Sequence, residues 1–266
     1  MRRMKQPLYA SAAPFQMPDG EVPQLTVYPS GNPQPHGGIV VLPGGGYGGR
    51  APHESEPIAR WLNSVGVSAV VCDYRVAPNR HPVPLLDAQR ALRWLRCCGP
   101  EFGVQPDKVG ILGFSAGGHL ASTTATHFDA GQPDAADPVE RVSCRPDAVV
   151  LCYPVVTFVE RLHQGSMINL LGTDAPPAEL REELSAELRV NADTMPHFLW
   201  HTAADAAVPL ANSLRLADAL CSHGAPVELH VFPYGQHGLG LAPDWPDVSQ
   251  WTALCANWLG RLGFRG

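Results

Sequence analysis

Gly113-Phe114-Ser115-Ala116-Gly117 stands between two stretches of opposite character. Lys108-Val109-Gly110-Ile111-Leu112 before it is short and apolar and reads as a buried strand. Gly118-His119-Leu120-Ala121-Ser122-Thr123-Thr124-Ala125 after it can open a helix. A serine at such a strand-to-helix turn is held in a strained conformation with its hydroxyl exposed. The flanking glycines let the turn be tight and let strand and helix approach closely. With 26 glycines in 266 residues, a lone Gly-x-Ser-x-Gly can arise by accident, so the strand before it and the helix after it carry the weight.

Outward from that turn, strand and helix signals alternate, which predicts a mostly parallel central sheet with helices on both faces, an α/β fold. Strands are expected at 25–28, 38–42, 67–72, 147–152, 197–201 and 227–232. Helices are expected at 55–64 (closed by Gly66), 84–98, 178–188, 210–222 (capped by Gly224) and 248–262. There is no repeat and no low-complexity linker. Residues 1–266 are therefore expected to form one domain, with 155–194 a short insertion over one edge of the sheet.

A serine hydroxyl is a poor nucleophile at neutral pH; it needs a base in reach, and the base needs orienting. His237, in Tyr234-Gly235-Gln236-His237-Gly238, follows the strand ending at Phe232. Asp205, in Ala203-Ala204-Asp205-Ala206-Ala207-Val208-Pro209, follows the strand ending near Thr202. Alone, His237 reads as a surface-loop histidine and Asp205 as a helix N-cap. Together with Ser115 they lie three times at strand ends, the rim where reactive groups collect in parallel sheets. Asp193 precedes its strand, and so faces the other end; Glu228 lies inside one.

Acyl transfer also needs N–H donors for a developing oxyanion. The Ala116 N–H is one, and Pro43-Gly44-Gly45-Gly46-Tyr47-Gly48-Gly49, after the strand at 38–42, can bring others close to a substrate. A phosphate cradle would need Gly-Lys-Ser/Thr, which is missing here. The spacing also fits Gly-x-Gly-x-x-Gly with Asp73 as the acid, but that dinucleotide reading leaves Ser115, Asp205 and His237 without a role.

Composition narrows the class. Apolar residues make up 45%, charged residues 17%, and the net charge is −6, so nucleic-acid binding has little support. No stretch approaches a membrane span. Leu8–Ala13, between Pro7 and Pro14, is a poor signal-peptide core, so a cytoplasmic chain is expected. Seven cysteines without a Cys-x-x-Cys pair read as free thiols rather than a zinc site. His197 and His201 share a strand face but lack a third ligand. Asp73-Tyr74-Arg75 reads as a brace for its loop, and Asp87 as a buried hydrogen-bonding acid.

Leu42–Tyr47, Cys72–Pro78, Gly113–Gly118, His201–Pro209 and Phe232–Gly238 together resemble the α/β-hydrolase superfamily. Within it the likeness is to carboxylesterases of the hormone-sensitive-lipase-like and acetyl-xylan-esterase-like kind, and it covers about residues 20–260. The order Ser, Asp, His is also theirs. The resemblance implies Ser115 as nucleophile, His237 as base, Asp205 as orienting acid, and Gly45, Gly46 and Ala116 as oxyanion donors. No metal and no cofactor are implied. Pro43 stands where many relatives have His, so the support of the glycine loop is expected to differ. His163-Gln164-Gly165-Ser166 and Asn169-Leu170-Leu171-Gly172 look like the smaller bacterial sugar-esterase branch.

The expected activity is serine carboxylesterase hydrolysis of short, acetyl-type esters, acetylated carbohydrates among them. Acetyl and propionyl esters should be cleaved best, with a fall beyond hexanoyl, because no apolar stripe offers a long chain the ~0.8 kcal/mol per buried methylene it would need. Tyr47, His119 and Tyr153 are candidate substrate contacts. An arylformamidase or feruloyl-type esterase on the same scaffold is the alternative; a non-catalytic ligand-binding protein is the alternative of another class. The expected partner is a small-molecule ester or acetylated sugar, with no nucleic acid or membrane, and a homodimer is left open.

Overall fold

Continuous apolar runs such as Ile39-Val40-Val41-Leu42 have no polar face to show water, so they are stable only where both faces are covered. The computed structural model, which describes residues 3–266, places them at the centre of an eight-stranded sheet. Met1 and Arg2 of the basic N-terminal run lie outside the described residues. The strands are β1 (Met4–Pro7), β2 (Gln24–Tyr28), β3 (His36–Leu42), β4 (Ser68–Asp73), β5 (Val104–Phe114), β6 (Val149–Cys152), β7 (His197–Thr202) and β8 (Val227–Phe232). Their order across the sheet is β1-β2-β4-β3-β5-β6-β7-β8. β2 pairs antiparallel with β1 and with β4, and the other strand pairs among the described residues are parallel. In the parallel centre, Val41 lies opposite Val71 on one side and Leu112 on the other.

The helices are α1 (Glu56–Ser64), α2 (Val83–Cys98), α3 (Ser115–Thr126), α4 (Gln164–Leu171), α5 (Ala178–Glu183), α6 (Ala211–Ser222), α7 (Pro246–Ser249) and α8 (Trp251–Arg261). One face of the sheet is packed by Ile58 and Leu62 of α1 and by Trp251, Trp258 and Leu259 of α8. The other is packed by Leu92 of α2, Leu120 of α3 and Leu216 and Leu220 of α6. This is the α/β-hydrolase arrangement, with the loops at the carboxyl ends of β3, β5, β6 and β7 opening on one rim.

Several elements depart from the sequence reading; α4 is a helix it does not include. β1 is a polar edge strand, Met4-Lys5-Gln6-Pro7, that carries no apolar alternation; it is held by pairing with β2 and by Lys5 to Asp73 at 3.2 Å. The expected helix at 178–188 is broken: α5 ends at Glu183 and a separate short turn spans Ala186–Leu188. Between them the Ser185 hydroxyl donates to the Arg181 carbonyl (2.7 Å) and accepts the Phe158 N–H (2.8 Å), which competes with helix continuation. The segment 155–194 was expected as an insertion over one edge of the sheet. It reaches across the rim to the glycine loop, Asn169 Nδ2 donating to the Gly46 carbonyl at 2.9 Å and the His81 N–H to Leu170 at 2.9 Å.

Candidate active site

Ser115 occupies the first position of α3 with φ +52°, a left-handed conformation that a non-glycine residue adopts only when its surroundings impose it. Its neighbours show why glycine flanks it. A Cβ on Gly113 would fall 2.1 Å from the Gly117 carbonyl oxygen, and one on Gly117 would fall 2.2 Å from that of Leu42. The helix can therefore start directly above the strands, with Ser115 at their carboxyl ends.

His237 Nδ1 lies 2.6 Å from Asp205 Oδ2, and His237 Nε2 lies 2.8 Å from Ser115 Oγ. A carboxylate only accepts, so Nδ1 carries the proton and donates it to Asp205; Nε2 is then free to accept the Ser115 hydroxyl proton. Asp205 is fully buried, while His237 is about a fifth exposed. Burial opposes the charge on Asp205, but hydrogen bonds from His201, His237 and the Val208 N–H outweigh it and hold its carboxyl well below the usual range. Asp193 lies on the surface before β7, and Glu228 pairs with His230 (2.9 Å) and with Arg261, so neither reaches this line.

Beside the serine opens a cleft of about 240 Å³, lined by Gly45, Gly46, Ala51, His53, Glu54, Ser115, His163, His237 and Gly238. Among the described residues, the Gly45 and Gly46 N–H groups have no acceptor in the protein. Ala116 is the second residue of α3, where a helix leaves its N–H unpaired. Three donors, backed by the positive end of a 12-residue helix, thus stand near the serine. The glycine loop is held from below. Tyr74 donates to the Pro43 carbonyl (2.6 Å), the Gly44 N–H donates to Glu54 (2.7 Å) and Asn169 donates to the Gly46 carbonyl.

Tyr47, His119 and Tyr153, expected to touch substrate, do not line the cleft. Tyr47 is 1% exposed; its hydroxyl lies 2.8 Å from His119 Nδ1, while His119 Nε2 donates to the Leu184 carbonyl at 2.8 Å. Tyr153 is likewise 1% exposed and stands behind His237, its ring edge-on at 4.9 Å. Each polar group found a protein partner, so burial in the wall is stable and nothing is left to offer a ligand. Three further side chains line the cleft beside Ser115 and His237: His53, Glu54 and His163. Neither His53 nor Glu54 is singled out by any motif in the sequence. His163 stood in a stretch matched by resemblance but carried no signal of its own. It caps α4, its Nδ1 accepting the Ser166 N–H at 3.2 Å, and burial lowers its pKa.

His197 and His201 meet no third ligand. His197 Nδ1 donates to the Met195 carbonyl (2.8 Å), and His201 is bonded to Ser213 and to the Val208 carbonyl. No group of three or more His, Cys, Asp or Glu among the described residues could hold a metal ion. No helix among them is long and apolar enough to cross a membrane.

The chain is similar to several known proteins. The BD-FAE family model matches residues 26–220. The chain is 36% identical over 232 residues to endo-1,4-beta-xylanase B of Butyrivibrio fibrisolvens, covering 85% of this chain and 36% of that protein. It is 31% identical over 226 residues to the acetylxylan esterase of Xylanibacter ruminicola, covering 83% and 45%. The chain thus spans less than half the length of these curated relatives. Among solved structures, the acetyl ester-xyloside bifunctional hydrolase of Caldicellulosiruptor lactoaceticus is 50% identical, with a TM-score of 0.96, over 99% of this chain and 97% of that one.

Proposed function

This chain belongs to the BD-FAE family, and on that premise we propose that it is a serine carboxylesterase acting on short-chain esters, acetylated carbohydrates first among them. The observation that carries the reading is the unbroken hydrogen-bonded line from Asp205 through His237 to Ser115 at the mouth of a cleft. In the proposed cycle Ser115 Oγ attacks the ester carbonyl carbon while its proton passes to His237 Nε2. Asp205 keeps the other imidazole nitrogen protonated and favours the imidazolium. The oxyanion takes N–H bonds from Gly45, Gly46 and Ala116. Collapse of the tetrahedral adduct expels the alcohol, protonated by His237. Water, activated by the same imidazole, then attacks the acyl-enzyme carbonyl and releases the acid.

Two things support an acetyl group. A cleft of about 240 Å³ lies below the ~300 Å³ at which drug-sized ligand pockets begin. The relatives named for acetylxylan and acetyl ester-xyloside point the same way. A nitrophenyl-ester panel from acetyl to palmitoyl should peak at acetyl or propionyl, and purified protein should release acetate from acetylated xylo-oligosaccharides. Ser115→Ala should lower both by several orders of magnitude without loss of fold. A maximum at dodecanoyl or longer overturns the acyl assignment. Failure on the oligosaccharides with rapid cleavage of N-formylkynurenine or feruloyl esters moves the substrate to the other hydrolase class.

A further inference from the structure

Glu54 is a buried carboxylate in the wall of the cleft that the proposed cycle does not use. It ends the short 3₁₀ turn Pro52–Glu54 between the glycine loop and α1, and is 2% exposed. Its Oε2 accepts the Gly44 N–H at 2.7 Å, and its Oε1 accepts the Tyr153 hydroxyl at 2.6 Å. His53 Nε2 stands 3.6 Å from Oε1 and donates to the Gly238 carbonyl at 2.9 Å. The Tyr153 oxygen in turn accepts the Gly240 N–H at 2.9 Å. Both bonds to Glu54 come from donors, an arrangement that suits the anion.

The position of this anion matters as much as its state. Gly44 is wedged between Glu54 and the serine: a Cβ there would lie 2.8 Å from Glu54 Oε2 and 2.9 Å from Ser115 Cβ. The same carboxylate is thus one bond from the glycine loop. Through Tyr153 it is two bonds from Gly240, and His53 beside it holds Gly238, so both ties reach the loop that follows His237. The titratable groups facing it are His53 on its own turn, Tyr153 and Cys152 at the end of β6, Tyr74 after β4, and His237. Of these, His237 alone must gain a positive charge during acyl transfer.

We propose that Glu54 is a positioning residue for this reaction: its carboxylate holds Gly44–Gly46 in register with the oxyanion and stabilises the imidazolium that His237 becomes. The inference rests on the serine-esterase reading of the site. Asp205 orients the imidazole from the Nδ1 side; Glu54 adds a second negative charge and couples the glycine loop to the histidine loop. Burial pushes the Glu54 carboxyl above its ordinary range, so its anion is the more easily lost of the two on acidification.

Glu54→Gln keeps the shape and one acceptor but removes the charge. On nitrophenyl acetate its kcat should fall about 10²-fold, the scale of a misplaced reacting group, with a much smaller change in KM. The acid limb of kcat/KM should move to lower pH, because an imidazole that loses a neighbouring anion protonates less readily. Glu54→Asp should keep the wild-type acid limb while losing kcat, since it retains the charge and withdraws from Gly44. Thermal melting checks that each variant is folded. If Glu54→Gln does not fold, Tyr153→Phe cuts the tie to Gly240 and should lower kcat about tenfold, the share of one buried hydrogen bond; unchanged turnover there overturns the proposal. Glu54→Gln turning over within about twofold of wild type overturns it too, as does a loss of kcat with an unmoved acid limb, which marks a merely structural residue. Labelling of Ser115 by a serine-reactive phosphonate separates the two levels. An unlabelled wild type ends the esterase reading; a labelled one with an unaffected Glu54→Gln ends only this inference.

Discussion

Asp205 shows what one buried side chain must do for the site to work. Its Oδ1 takes the Ala207 and Val208 N–H groups, both at 2.9 Å, which fixes the carboxylate at the start of its loop. Its Oδ2 faces His237 Nδ1 at 2.6 Å. Asp205→Asn keeps the shape but turns an acceptor into an amide that can place an N–H toward Nδ1. The imidazole then presents its proton to Ser115 instead of a lone pair, and ester turnover should drop by about 10³- to 10⁴-fold. Asp193→Asn, at the opposite end of the same strand, should stay within about twofold, as surface substitutions away from a site do. Parallel kinetics on the two variants decide between the acids, and a larger loss at Asp193 would transfer the role to it. Because its carboxyl is held well below the usual range, Asp205 stays charged throughout the pH span of an activity assay.

At the scale of the element, the loop after β4 is tied to α2 by a buried ion pair. Arg75 Nε and Nη2 meet the two oxygens of Asp87 at 2.9 and 2.7 Å, and the Arg75 N–H adds a third bond at 3.0 Å. The pair is 1% and 0% exposed. Arg75 Nη1 also reaches the Pro14 carbonyl at 2.8 Å, and Tyr9 donates to Asp87 at 3.2 Å, so the N-terminal segment is clamped by the same pair. A buried pair gains little over apolar neighbours, but losing one partner leaves a charge with no counterpart. Asp87→Ala should therefore destabilise the fold by about 3–5 kcal/mol, read by denaturant titration. A loss under about 1 kcal/mol would mean that water replaces the carboxylate readily.

Across the whole molecule, buried histidines set the response to acid. Burial lowers His119 and His197 to about 4, and shifts His81 and His163 the same way. The unfolded chain protonates such groups near ~6.5, so between the two values it binds more protons than the folded one. Stability is then complete above about pH 6.5 and falls as pH drops toward 4, by about 1.4 kcal/mol per unit for each of His119 and His197. Glu54, raised by burial, works in the opposite direction, but it is one group against several. The melting temperature should fall by on the order of 10 °C between pH 7 and pH 5. An unchanged value would mean that His119 and His197 are not neutral in the fold.

The amino-acid sequence by itself determined what is local. Apolar runs too continuous for a water-facing strand, amphipathic spacing and glycine punctuation are written in neighbouring residues, and they were enough for the parallel sheet, its helices and the turn that carries Ser115. The loops holding Asp205 and His237 were legible for the same reason: a strand end is a sequence feature, and three strand ends share one rim. Only the tertiary structure decided what fills the space between those loops. Glu54 and Asn169 support the glycine loop across 10 and 123 residues of sequence separation, a relation no local pattern encodes. Tyr47, His119 and Tyr153 went the other way, expected at the surface of the cleft and found paired inside its wall. Whether a polar side chain serves a ligand or the fold depends on whether folding brings it a partner, and that partner is chosen by packing rather than by sequence neighbours.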